Sequence, residues 1–209
     1  MKNGIYLVAT PIGNTGDITL RGLEVLKSAA MIACEDTRVA KKLFSLLGLS
    51  TAGKLFVVMH DHNENETAQK IIDAAQQAVV AYISDAGSPL ISDPGYKLAR
   101  KCREQGIYFT TIPGACAVIC GLQLSGLPTN TFMFAGFIPN KDKARFEALA
   151  KYKDIDTTLV FYETANRLLK TLTAAEKVFG GREIAVAREI SKIYEESQSG
   201  TASRLIEHY

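Results

Sequence analysis

Acidic side chains, hydroxyl groups and glycines are concentrated in one segment of the chain, residues 84–95. The apolar run before it, 79–83, predicts a buried strand, and a helical pattern follows it. Asp85 and Asp93 supply carboxylates that accept hydrogen bonds from amines or hydroxyls, and Gly87 permits close approach of the backbone to a ligand. Ligands of open α/β sheets bind beyond the carboxyl ends of the strands, so we predict a binding loop here. A turn capped by its own aspartates is the alternative.

Five more loops that contain polar, glycine or proline residues directly follow predicted strands. They span residues 10–14, 34–38, 60–64, 113–115 and 162–167. Because the carboxyl ends of parallel strands lie on one side of a sheet, we expect these loops to converge on one cleft.

The sequence lacks the signatures of several common enzyme classes. It contains no Gly-x-Gly-x-x-Gly, no Gly-Lys-Ser/Thr of a phosphate-binding loop and no Gly-x-Ser-x-Gly. A net charge of +2 argues against a strongly electrostatic, sequence-blind nucleic-acid binder, although a local basic patch suffices for an RNA enzyme. Basic residues crowd two stretches, 97–103 and 141–153, for which a solvated helix face is the alternative to an RNA contact.

Cysteines and histidines do not form a metal-binding pattern. Cys116 and Cys120 lie four residues apart in a predicted helix, unlike the paired spacing of zinc ligands. His60 and His62 flank Asp61 in a short loop. We therefore expect structural thiols and no metal. The N-terminus lacks the pattern of a signal peptide and the apolar runs are too short to span a bilayer, so we expect a cytoplasmic protein without a membrane partner.

Strand and helix patterns alternate along the chain, which is typical of βαβ units with a mainly parallel sheet. Strands are predicted at 5–9, 31–34, 55–59, 79–83, 107–112, 132–134, 157–162 and 184–187, and helices at 20–29, 38–47, 64–78, 96–105, 115–124, 141–152, 167–178 and 202–208. The Pro113–Gly114 pair marks the best boundary. We predict an α/β protein with two lobes, 1–112 and 113–209, and expect the second lobe to be truncated.

The loops also carry a series of motifs in order along the chain. They are Ala-Thr-Pro-Ile-Gly-Asn at 9–14, Gly-Asp-Ile-Thr-Leu-Arg at 16–21, Glu-Asp-Thr-Arg at 35–38, His-Asn-Glu at 62–64, Ser-Asp-Ala-Gly at 84–87, Ile-Ser-Asp-Pro-Gly-Tyr at 91–96, Ser-Gly-Leu-Pro at 125–128, Gly-Phe-Ile-Pro at 136–139 and Phe-Tyr-Glu at 161–163. With these motifs the chain resembles the tetrapyrrole methylase superfamily, and within it the ribosomal RNA small subunit methyltransferase I family. The match covers essentially the whole chain.

This resemblance implies a fold and a reaction. The expected fold is two α/β lobes with mainly parallel or mixed sheets and a cofactor cleft between them, usually in a homodimer. The expected cofactor is S-adenosylmethionine. The expected reaction methylates the 2′-hydroxyl of a cytidine ribose in 16S small-subunit ribosomal RNA, which makes that RNA the expected partner.

The resemblance also implies roles for individual residues. Expected catalytic residues are Glu35, Asp36, Arg38 and Glu163. Expected cofactor-binding residues are Pro11, Ser84, Asp85, Ala86, Gly87, Ser88, Pro89, Pro113, Gly114, Ala115, Leu127, Pro128 and Tyr162. Expected RNA contacts are Asn14, Arg38, Asn63 and Arg167.

Residue chemistry refines two of these expectations. Glu35 and Asp36 are adjacent and face opposite ways on an extended segment, so one is expected to reach the ribose and the other to cap the next helix. Arg38 and Arg167 offer forked donors for phosphate, and a local ion pair with Glu35 is the alternative for Arg38.

Two other functions stay open at this point. One is methylation of a tetrapyrrole carbon in a precorrin-type reaction, and the other is a catalytically weak cofactor-binding protein. The chain departs from the family pattern at Ala115–Cys116 and Ala165–Asn166, which is the observation that keeps the second alternative open.

Overall fold

The structure is a computed structural model that describes residues 1–60 and 64–209. The chain separates into two compact units, Met1–Cys116 and Ala117–Tyr209, which we call unit 1 and unit 2. The domain limits taken from the sequence, 1–112 and 113–209, stay a prediction beside this division.

Unit 1 contains a five-stranded sheet in which all neighbouring strands are parallel. Its strands are β1 Gly4–Val8, β2 Met31–Cys34, β3 Leu55–Val58, β4 Val79–Tyr82 and β5 Phe109–Ile112. Their order across the sheet is β3-β2-β4-β1-β5, so β4 lies between β2 and β1. This order brings the loops that follow β1, β2, β4 and β5 to one edge of the sheet.

Helices cover both faces of this sheet, which explains why its strands are almost continuously apolar. They are α1 Leu20–Ser28, α2 Thr37–Leu46, α3 Glu64–Gln77 and α4 Tyr96–Glu104. Alternate strand residues face opposite layers. Ile5 packs in a buried cluster with Ile71 of α3, whereas Tyr6 packs in a second cluster with Leu26 of α1 and Phe44 of α2.

Unit 2 pairs its strands in two short ladders. Its elements are α5 Ala117–Leu124, β6 Phe132–Phe137, α6 Asp142–Ala150, β7 Thr158–Tyr162, α7 Leu168–Phe179, β8 Ile184–Arg188, β9 Glu196–Gly200 and α8 Ala202–His208. Strands β6 and β7 are parallel, and β8 and β9 form an antiparallel hairpin. A buried cluster of Ile138, Leu149, Ala175 and Val178 joins α6 and α7 to the residue that follows β6.

The predicted α/β class with a mainly parallel sheet is confirmed, and most predicted elements agree with the observed ones to within one or two residues. Strand β9 was not predicted, because Glu-Ser-Gln-Ser-Gly has no apolar alternation and forms a strand only by pairing with β8. Among the helices of residues 1–60 and 64–209, none has the length and apolar character needed to cross a bilayer.

Candidate cofactor and substrate site

The loop after β4 is fastened to the loop after β1. The N–H of Thr10 donates to the Gly87 carbonyl at 2.9 Å, and the N–H of Gly87 donates back to the Thr10 carbonyl at 3.0 Å. Gly87 has φ +81°, and a Cβ at this position would lie 3.3 Å from Cγ2 of Ile12. The backbone at Gly87 is therefore left-handed, which glycine adopts without strain, and a Cβ there would crowd the side chain of Ile12.

A further hydrogen bond connects the loops after β1 and β4, from Oγ1 of Thr10 to the carbonyl of the buried Ser84 at 3.3 Å. The loop after β5 joins these two loops. Ser88 donates from its Oγ to the Ala115 carbonyl at 3.0 Å. A Cβ on Gly114 would lie only 2.9 Å from Cβ of Ala9. The structure thus brings the predicted residues around 10–12, 84–88 and 114–115 into one cradle of backbone.

Carboxylates lie beside this cradle. The N–H of Asp85 donates to Oε1 of Glu35 at 3.1 Å, which connects the loop after β2 to the loop after β4. Burial raises the pKa of Asp85, and the negative charge of Asp36 adds to the rise. Burial also raises the pKa of Asp93, although a hydrogen bond from Ser84 opposes it. The charge of a cationic ligand would offset the cost of ionising these two carboxyl groups.

Asp36 and Arg38 form a pair at the start of α2. Asp36 accepts the N–H of Arg38 at 2.7 Å and so caps the helix, and its two oxygens also accept from Nε and Nη2 of Arg38. The hydrogen bonds from Arg38 lower the pKa of Asp36 to about 2. Of the two roles expected for Glu35 and Asp36, the helix cap is thus observed, and Asp36 supplies it. The ion pair of Arg38 is with Asp36 and not with Glu35, because the carboxylate of the capping residue lies within reach of the guanidinium.

Glu163 lies in a network of donors in unit 2. Its Oε1 accepts the N–H of Thr164 at 2.8 Å, and its Oε2 accepts from Oγ1 of Thr171 at 2.5 Å. Nε of Arg167 lies 2.9 Å from Oε1 in an ion pair, and Nη2 of Arg167 donates to Oε2 at 3.3 Å. The side chain of Glu163 is only 11% exposed, and Arg167 in turn donates to the Ile138 carbonyl.

Other predicted cofactor residues of unit 2 are held by local contacts. The ring of Tyr162 packs edge-on against Phe134, with 4.9 Å between the ring centroids. The N–H of Leu127 donates to Oγ of Ser125 at 3.1 Å, and the Pro128 carbonyl accepts from Oγ1 of Thr158 at 2.6 Å. These bonds fix the Leu127–Pro128 corner against β7.

The remaining predicted residues differ in exposure, and one of them lies outside the described chain. Asn14 is exposed and its side chain accepts the N–H of Gly16 at 2.9 Å, which caps a short 3₁₀ helix. Ala86 and Pro113 are exposed, Pro11 is half-buried and Pro89 is buried. Asn63 lies outside the described residues. Within the described ranges, no three His, Cys, Asp or Glu side chains are grouped so as to hold a metal ion.

Sequence reasoning missed a strained stretch in the loop after β4. Leu90 and Ser92 have φ of +70° and +66°, a conformation that side chains with a Cβ rarely adopt. Such strain persists only where the surrounding structure enforces it, and it concentrates at binding sites. The only sequence signal was the density of turn-forming residues in this loop.

The arrangement in unit 1 fits S-adenosylmethionine, the cofactor that the motifs imply. Closely packed glycine backbone lies in the same loop as Asp85, and the carboxylates of Asp85 and Asp93 suit an amino group or ribose hydroxyls. Their pKa values are raised chiefly by burial, so the charge of a cationic ligand would favour the ionised carboxylates.

Comparisons with known proteins point to one family. The family model of tetrapyrrole (corrin/porphyrin) methylases matches residues 4–206. The ribosomal RNA small subunit methyltransferase I of Erythrobacter litoralis is 52% identical over 209 residues, which are 100% of this chain and 73% of that protein. The protein of the same name from Rickettsia prowazekii is 44% identical over 100% of this chain and 74% of its own length.

Solved structures share the fold at low sequence identity. Diphthine synthase matches with a TM-score of 0.73 and 15% identity over 97% of this chain and 84% of its own. A uroporphyrin-III C-methyltransferase from Thermus thermophilus matches with a TM-score of 0.62 and 21% identity over 98% and 87%. At these identities the likeness concerns the fold alone.

Proposed function

The chain belongs to the family of tetrapyrrole (corrin/porphyrin) methylases, and we propose that it methylates small-subunit ribosomal RNA at the 2′-hydroxyl of a cytidine ribose. The observation that carries the proposal is the match over essentially the whole chain, at 42–52% identity, to relatives named ribosomal RNA small subunit methyltransferase I. S-adenosylmethionine is the methyl donor of this family and supplies an electrophilic methyl group on a sulfonium.

The cradle of unit 1 is the proposed cofactor site. Backbone groups of 84–88 and 113–115 would hold the polar ends of the cofactor, and Asp85 would accept from its amino group. Leu127, Pro128 and Tyr162 remain the proposed contacts of the adenine. Holding two reactants in line is the larger catalytic effect and lowers the barrier by up to roughly 7–11 kcal/mol.

Glu35 is the proposed base that removes the proton from the ribose hydroxyl. Asp36 is a poor base, because its pKa is about 2 and both its oxygens accept from Arg38. Glu163 accepts from Thr164 and Thr171 and pairs with Arg167, so its role is to hold this network. A positioned base contributes about 10²–10⁴-fold to the rate.

Arg38 is the proposed contact with RNA phosphate. Its side chain is 89% exposed, and Asp36 holds the Nε and Nη2 edge while the rest of the guanidinium faces solvent. Asn14 and Asn63 stay proposed contacts with the RNA. Arg167 is 22% exposed and tied to Glu163 and the Ile138 carbonyl, which favours a role in positioning the loop after β6.

Location and assembly follow as further parts of the proposal. Small ribosomal subunits are assembled in the cytoplasm, so we expect the protein to act there. A homodimer is also proposed, since the resemblance to the family implies one.

Methyl transfer to three acceptors tests the proposal. The purified chain is incubated with tritiated S-adenosylmethionine and with small ribosomal subunits, free small-subunit RNA or a tetrapyrrole precursor. We expect incorporation into intact subunits, at a cytidine ribose, and little into free RNA. Incorporation into the tetrapyrrole alone would refute the RNA substrate, and incorporation into none of the three would favour a cofactor-binding protein without catalysis.

A further inference from the structure

A bulge at the end of β6 redirects one aromatic side chain. The β6–β7 pairing runs regularly from Phe132 to Phe134, then shifts register so that Phe137 pairs with Tyr162. Gly136, within the shift, has φ +71°, which glycine adopts without strain. Bulges of this kind bend a strand and re-aim a side chain, often beside a functional site.

The re-aimed ring is braced on one side and open on the other. Phe137 lies with its ring centroid 5.2 Å from that of Tyr162, at an interplanar angle of 56°. Tyr162 is itself braced by Phe134. Phe137 nevertheless remains 56% exposed. We call Phe137 and Tyr162 the aromatic platform.

The segment after the platform is fixed by two arginines. Arg167 donates to the Ile138 carbonyl, and Arg145 donates from Nη2 to the Asn140 carbonyl at 2.6 Å. Arg145 is 2% exposed and also pairs with Asp142 at 2.5 Å. Its burial shows that the basic stretch 141–153 is not a solvated face throughout. The platform is therefore presented by a fixed backbone.

Two lysines of the same segment remain at the surface. Lys141 is exposed, and Lys143 is 89% exposed with a loose contact of 3.8 Å to Glu147. The one acidic residue between them, Asp142, is already paired with Arg145. The segment therefore combines an open aromatic ring with two available cationic groups.

We propose that the exposed face of Phe137 in the aromatic platform stacks an unpaired nucleobase of the RNA substrate, with Lys141 and Lys143 facing its backbone phosphates, while Tyr162 braces the Phe137 ring and keeps its proposed contact with the adenine. This inference rests on the proposed function. Single-stranded RNA is bound by stacking of splayed bases on aromatic rings combined with cationic contacts to the backbone. The lysines favour RNA over the adenine of the cofactor, because S-adenosylmethionine has no phosphate. They also weigh against a symmetric contact with a second copy of the chain, because such a contact would bring the same lysines together.

Leucine at position 137 removes the π-face and keeps apolar bulk. We expect Phe137→Leu to raise the KM for small subunits roughly ten-fold or more, and Phe137→Trp to keep it near that of the parent. The matched control is Phe146→Leu, which changes another exposed phenylalanine of unit 2, 44% exposed on α6. Calorimetry with S-adenosylhomocysteine and light scattering of each variant accompany the kinetics.

The lysines are tested separately, through the salt dependence of the KM for small subunits. This test does not depend on whether the variants at position 137 fold. We expect the double variant Lys141→Gln, Lys143→Gln to reduce the slope of log KM against log salt by about one to two. Lys151→Gln, Lys153→Gln removes the same charge from two other exposed positions and is expected to leave the slope nearly unchanged.

Each outcome separates this inference from the proposed function. If the parent does not methylate subunits, the proposed function fails and the inference fails with it. If the parent does so and Phe137→Leu has the parent's KM, the inference alone is refuted. Lost affinity of Phe137→Leu for S-adenosylhomocysteine would assign the platform to adenine instead, and a changed mass in light scattering would assign it to a contact between copies.

Discussion

Thr171 of α7 donates a hydrogen bond from Oγ1 to Oε2 of Glu163 at 2.5 Å. The threonine is buried, and its hydroxyl holds a carboxylate that also accepts the backbone N–H of Thr164 and pairs with Arg167. A carboxylate whose oxygens are engaged in this way is suited to orienting a guanidinium.

Glu163→Gln is therefore expected to weaken the network without removing the catalytic base. The amide keeps one acceptor oxygen and loses the charge that pairs with Arg167, so thermal stability should fall while kcat decreases less than about 10-fold. A lost base would instead cost about 10²–10⁴-fold. Thr171→Val is the control, because it removes the hydroxyl donor and leaves the charge of Glu163. A kcat loss above 10²-fold for Glu163→Gln alone would contradict this assignment.

Glu35→Gln is expected to have the opposite profile. The amide oxygen still accepts the N–H of Asp85, so the loop contact and the affinity for S-adenosylhomocysteine should persist. The side chain no longer takes up a proton, and kcat for small subunits should fall by about 10²–10⁴-fold. Single-turnover methyl transfer and calorimetry measure the two quantities. An unchanged kcat would exclude Glu35 as the base.

Gly87 offers a test of the cofactor cradle with a matched control. Gly87→Ala places a Cβ 3.3 Å from Ile12 in a loop that pairs with Thr10, whereas Gly53→Ala adds a Cβ at φ +73° with nothing within 4 Å. Both substitutions carry a left-handed strain of roughly 1–2 kcal/mol. We expect only the change at Gly87 to reduce affinity for S-adenosylhomocysteine, by ten-fold or more. Equal affinities for the two variants would refute the cradle.

The pair of Asp36 and Arg38 predicts a pH dependence of stability. The pKa of Asp36 is lowered to about 2 in the folded chain, from an ordinary value of 3.8. Its stabilising effect is thus fully present above pH 3.8 and is lost as the pH falls through about 2. Asp36→Asn keeps a helix cap but lacks the ion pair. The difference in melting temperature from the parent should be largest near neutral pH and vanish toward pH 2.

The cysteines are expected to react unequally with an alkylating reagent. Burial raises the pKa of the Cys34 thiol to about 12, with the carboxylates of Asp85 and Asp36 adding to the rise. Burial raises that of Cys102 to about 11. Both remain protonated and covered at pH 8, so iodoacetamide should modify the half-buried Cys116 and Cys120 first. Mass spectrometry after proteolysis measures this, and unfolding in guanidinium should equalise all four.

Much of unit 1 was predictable from the sequence because its signals are local. Strand β2 occupies the residues predicted for it, and the helices begin where Thr19 and Asp36 supply N-caps. In unit 2 the signal was weaker. Strand β9 has no apolar pattern, and Arg145 lies in a run of basic residues that gave no sign of its burial.

The sequence by itself determined the alternation of strands and helices, the loops that carry polar residues, and the family motifs, because each depends on neighbours within a few residues. Only the tertiary structure decided that Arg38 pairs with Asp36, that Thr171 holds Glu163 and that the bulge at Gly136 exposes Phe137. The contact of Thr171 with Glu163 and the bulge in the β6–β7 pairing bring together residues from different elements. The pairing of Arg38 with Asp36 is one choice among several local conformations. Their free energies depend on distances and burial that residue order alone does not specify.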